Sequence, residues 1–106
     1  MNFTNHKILG TEMDHLAAKK AIAAERKLLR SQRANLFSAL TVLIKTANDD
    51  DSMERDQLFL LLGGPSLIPE LRAELKTAIA TVMHSEISWE PRQTCYKIFM
   101  VLNHNL

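Results

Sequence analysis

Apolar and polar positions alternate along this chain with helical periods almost throughout. From Thr11 to Ala47, over a third of the residues run without Gly or Pro. The stretch is rich in Ala, Leu, Lys, Arg and Glu, all good helix formers. Rotation by about 100° per residue sorts it into faces. Met13, Ala17, Ala21, Ala24 and Leu28 form one apolar line. Ala18, Ile22, Leu29, Leu36, Leu40 and Leu43 form a second beside it. The pattern predicts a long N-terminal helix over 12–47, or two helices in line with a bend near residues 30–35 between an exposed first half and a buried second half, the basic segment 12–33 forming an arm or an outer helix. Thr11 is the expected N-cap, with Asp14 three residues on in a capping-box arrangement. Residues 1–10 are expected to be an irregular arm, with Phe3, Ile8 and Leu9 available to dock on the core.

After Asn35 the helix changes character. LFSALTVLI is apolar almost all round, which predicts a segment buried on every side and central to the core. Asn48-Asp49-Asp50-Asp51 should end the helix, because adjacent acids repel and Asp competes for nearby backbone groups. Asp51 is then placed to cap the next helix. The spacing of these acids does not match a calcium loop, which needs alternating oxygen ligands, a central Gly and a distant Glu.

Three shorter helices follow. The first is expected over Ser52–Leu62, with most of Leu58–Leu62 buried and Gly63 supplying the left-handed C-terminal position. The second is expected over Leu67–His84, with Ser66 as cap and Pro69 in its first turn. Its apolar face is Ile68, Leu71, Leu75, Ala78, Ile79 and Val82; Glu70, Glu74 and Lys76 should face water. Ser85–Ser88 should be a short connection, with Ser88 as the next cap. The last helix is expected over Trp89–Asn103, its apolar face carried by Cys95, Ile98, Phe99 and Leu102 and widened by Tyr96, Met100 and Val101. The fold class is therefore all-α: a small bundle of four or five helices with a long N-terminal helix, in one domain over residues 1–106.

Charge sharpens this picture. The net value is +1, but residues 1–47 carry eight Lys/Arg against three Asp/Glu, while residues 48–106 carry five against nine. The two apolar lines together make a face roughly half the circumference wide, and Lys19, Arg26, Arg30 and Arg33 stack on the opposite side of the long helix, with Lys20 and Lys27 flanking them. Such a face suits an acidic partner. On the last helix Trp89, Arg92 and Tyr96 are spaced to share one side, and these residue types are enriched at binding hot spots.

Candidate chemistry is sparse. The four His are scattered, the single Cys95 allows no internal disulfide, and no metal-ligand spacing is present. Gly63-Gly64 has no Lys-Ser/Thr after it and no strand before it, so it is not read as a phosphate loop. No cofactor, metal or catalytic set is expected. No apolar run is long enough to span a membrane and none resembles a signal peptide, so the expected location is the cytoplasm.

The sequence reading is thus a non-enzymatic protein-binding module: a chaperone, adaptor, assembly factor or small inhibitor of a larger complex. It would dock through Lys19, Lys20, Arg26, Lys27, Arg30 and Arg33, with Trp89, Arg92 and Tyr96 as further contacts, on a protein with an acidic or helical surface. Self-association into a homo-oligomer is compatible with this. The alternative is a nucleic-acid-binding protein using the same six cations. A membrane partner is not expected.

Overall fold

A computed structural model describes residues 3–48, 52–84 and 89–104, with side chains from Asp14 onward. The chain is all-α, as its periodicity predicts. Helix α1 is Phe3–Thr46, α2 Arg55–Leu61, α3 Pro69–Val82 and α4 Pro91–His104, with a 3-10 turn at Gly64–Ser66 between α2 and α3. The chain divides into two units, Met1–Ser31 and Gln32–Leu106.

Helix α1 is a single element of 44 residues. It takes in residues 3–10, expected as an irregular arm, and runs through Thr11, expected as its cap. Residues 3–10 contain no Pro, and Gly10 alone does not end a helix whose neighbours on both sides propagate it. The side chains of Phe3, Ile8, Leu9 and Thr11 lie outside the described residues, as do the Asp49–Asp51 turn, the Asp51 cap and the Ser85–Ser88 connection.

In the N-terminal unit, every described side chain from Asp14 to Leu28 is exposed. The C-terminal unit contains the core. Its α3 packs against α2, the 3-10 turn and α4, and it buries Leu71, Leu75, Ala78, Ile79 and Val82. That face matches the predicted one except for Ile68, which is half-buried at the N-cap. The expected centre, segment 36–46, is buried on one side only. Leu40 is 0% exposed and Leu36 nearly so, whereas Val42 is 56% exposed. An all-round apolar segment must be enclosed only if partners reach every side, and here the remaining helices cover just one.

The same limit corrects α2. Leu58 and Leu62 are buried, but Leu60 and Leu61 stay exposed. Helix α2 starts at Arg55 rather than Ser52, because Met53 is held in an antiparallel bridge, its N–H donating to the Trp89 carbonyl at 3.2 Å. Gly63 adopts the left-handed conformation predicted for it, with φ of 71°. Gly64 is needed for a different reason: a Cβ there would overlap the Phe59 ring.

Helix α3 begins at Pro69, not Leu67, and Ser66 is not its cap. Residues 64–66 are taken into the 3-10 turn, and Ile68 occupies the N-cap. The Ile68 N–H is satisfied from α1, donating to the Gln32 side-chain carbonyl at 2.7 Å. Helix α4 begins at Pro91, two residues later than expected, since Trp89 belongs to the bridge. Its buried face is Thr94, Cys95, Ile98 and Leu102. Phe99 sits edge-to-face with Phe37 of α1, ring centres 4.9 Å apart. Tyr96 and Met100 do not widen this face; both are exposed. At the end of α1, Arg92 donates to the Ala47 carbonyl at 3.2 Å, meeting a carbonyl that lacks an intrahelical donor.

Candidate interaction surfaces

The sequence-predicted contacts fall into two groups, one in each unit. In the N-terminal unit Lys19, Lys20, Arg26, Lys27 and Arg30 are all exposed. None is in an ion pair among the described residues. Arg26 and Arg30 stand at i, i+4, where like charges repel along a helix.

Apolar side chains share this helix. Leu16, Ile22 and Leu28 are 56%, 49% and 47% exposed. Lys19, Ile22, Ala23, Arg26, Leu29 and Arg30 line one shallow, open depression. The cations therefore border the second apolar line directly, which corrects the expectation that they stand opposite both lines. Their aliphatic stems extend the apolar strip while their charged heads stay in water.

Arg33 is withdrawn from this stripe. It lies in the C-terminal unit, half-buried, and its guanidinium donates to Glu74 of α3 at 2.6 Å. Glu74, expected to face water, is this cation's partner. Beside it, Gln32 donates to the Ser66 carbonyl at 3.3 Å as well as accepting from Ile68. The adjacent Gln32 and Arg33 thus bind α1 to the start of α3.

Of the three residues expected on the last helix, Arg92 and Tyr96 are on α4 and Trp89 is not. Trp89 precedes the helix and is half-buried, and the Lys97 ammonium lies 4.6 Å from its ring centre. Arg92 and Tyr96 instead border a second shallow depression with Ile44, Gln93 and Lys97. The exposed Tyr96 is the only aromatic in that lining.

No family model, curated protein or solved structure matches this chain. Cys95 is buried, and burial raises its thiol to a pKa of about 11, so it is held protonated and unreactive at neutral pH. No cluster of three His, Cys, Asp or Glu that could hold a metal occurs among the described residues. No helix among them is long and apolar enough to cross a membrane.

The exposure of residues 14–28 agrees with the expected exposed first half of the long helix, but the periodicity alone did not say that Ile22 and Leu28 would lack a packed partner among the described residues. The available signal was the alanine content beside them, since Ala17, Ala21 and Ala24 bury little area for an intramolecular partner.

Proposed function

We propose that this chain is a non-enzymatic protein-binding module that docks through the exposed N-terminal unit of α1. It would act as an adaptor, chaperone, assembly factor or small inhibitor of a larger complex. The supporting observation is the combination on one helix of five cations without an ion pair among the described residues and half-exposed Leu16, Ile22 and Leu28. A phosphate backbone would engage the cations and leave the apolar side chains in water. A protein surface engages both. Burying apolar side chains that are already half-covered contributes on the order of 1 kcal/mol each. The cations would chiefly speed encounter and select an acidic partner. The mechanism is steric and electrostatic: the exposed part of the helix lies on its partner, while Gln32 and Arg33 tie the part of α1 within the C-terminal unit to the start of α3.

The test is a photo-crosslinking amino acid at Ala23, in extract of the cells the protein comes from, with and without nuclease. The expected result is a discrete protein adduct that resists nuclease and disappears when Arg26→Glu and Arg30→Glu are introduced. An adduct destroyed by nuclease would transfer the helix to a nucleic-acid role. An adduct indifferent to the charge reversals would remove the basic face from the docking surface.

A further inference from the structure

A three-residue step, cation to apolar, recurs along α1 at intervals of seven residues: Lys19 to Ile22, Arg26 to Leu29, and Arg33 to Leu36. The last of these lies in the C-terminal unit, where the chain supplies its own partner. Arg33 is paired with Glu74 of α3 and Leu36 is buried. Glu74 is adjacent to Leu75 and three residues after Leu71, both fully buried. An acid thus stands at the margin of an apolar helical face. The two upstream copies have no such cover among the described residues: Lys19 and Arg26 are exposed and unpaired, Ile22 is 49% exposed and Leu29 is only half-buried.

We infer that the partner of the N-terminal unit is an amphipathic α-helix of the α3 kind, with acids bordering leucine-like residues at heptad spacing. The inference rests on the proposed docking role of α1 and specifies the occupant. It is argued from the acid of a leucine-faced helix that meets Arg33 and from two upstream repeats of the same step that have no such acid among the described residues. Seven residues return an α-helix to within about 20° of its starting direction, so Lys19 and Arg26, and likewise Ile22 and Leu29, present themselves to one straight partner. The partner's acids would also relieve the repulsion between Arg26 and Arg30. A nucleic acid has no groups for Ile22 and Leu29. A second copy of this helix would present mainly cations to cations.

The experiment uses the full chain and a labelled synthetic helical peptide of about three heptads, each with the Leu-x-x-Glu-Leu order of Leu71–Leu75, followed by fluorescence anisotropy. Saturable binding is expected. Ile22→Gln with Leu29→Gln, which keeps good helix formers, should weaken it about tenfold or more. Lys19→Glu with Arg26→Glu should weaken it similarly, and a peptide with Lys replacing Glu should restore it. That rescue excludes misfolding as the cause of the loss.

Four results would overturn the inference. One is no binding up to about 0.1 mM peptide. Another is equal binding of a scrambled peptide of the same composition. A third is tighter binding of a DNA or RNA strand that ignores the Gln substitutions. The last is a dimer of the free chain, by sedimentation equilibrium, that those substitutions dissociate. If the peptide fails while the Ala23 adduct to a protein persists, the docking role stands and only the helical, acidic occupant is lost.

Discussion

The guanidinium of Arg33 and the carboxylate of Glu74, 41 positions apart in the chain, meet at 2.6 Å and are both partly shielded from water. This ion pair joins α1 to α3. It also separates Arg33 from Lys19, Lys20, Arg26, Lys27 and Arg30, which have no ion pair among the described residues.

In a double-mutant cycle of Arg33→Ala and Glu74→Ala, the coupling should be about 0.5–1 kcal/mol by urea denaturation, because both groups remain partly solvated. It should shrink with added salt. Charge reversal at Arg26, in the exposed unit, should leave the denaturation midpoint of the C-terminal unit unchanged.

Gln32→Ala removes the acceptor for the Ile68 N–H at the start of α3. The expected cost is about 1 kcal/mol, the size of a lost helix cap. Gln32→Glu keeps an acceptor and should cost less. Hydrogen exchange at the Ile68 amide is the direct measurement, with protection lost in the Ala variant and largely kept in the Glu variant.

Two adjacent glycines should fail for different reasons. Gly63→Ala places a Cβ in the left-handed conformation, at a cost of about 1–2 kcal/mol. Gly64→Ala forces the Phe59 ring away from its position and from the Lys76 ammonium 5.3 Å from its centre, a cost of about 1–3 kcal/mol. Adding Phe59→Leu should recover part of the Gly64→Ala loss and none of the Gly63→Ala loss in thermal melts.

Cys95 supplies a pH dependence. Burial holds its folded pKa at about 11, above the ordinary thiol value of 9.0. Between these values the unfolded chain has already released the thiol proton while the folded chain retains it, so its contribution to stability is complete below pH 9 and is lost as pH rises toward 11. Cys95→Ala should remove this component from the pH profile of unfolding. A thiol reagent at pH 8 should label the wild type slowly in buffer and rapidly in urea.

Core truncation should separate the two parts of α1. Leu40→Ala, at a fully buried position, should cost about 2–5 kcal/mol. Ile22→Ala, on the exposed part, should change stability by no more than about 0.5 kcal/mol. A large effect of Ile22→Ala on the unfolding of the isolated chain would mean that its face is already covered in solution.

The sequence by itself determined what depends on a few neighbouring residues. The Gly- and Pro-free run of helix formers made α1 helical. The stop at Gly63, required by its left-handed turn, and the buried face from Leu71 to Val82 were equally legible, because backbone conformation and helical period are local properties. What only the tertiary structure decided was which apolar face receives a partner. Ile22 and Leu36 have the same place in the same seven-residue pattern, yet one is half-exposed and the other buried. Leu60 and Tyr96 read as core and stand in water. Arg33 read as one more surface cation and is bound to Glu74. Ser66 read as a cap, and the N–H at the start of α3 was taken instead by Gln32. Burial and pairing depend on residues brought together from distant parts of the chain, and a helical period describes a face without naming what covers it.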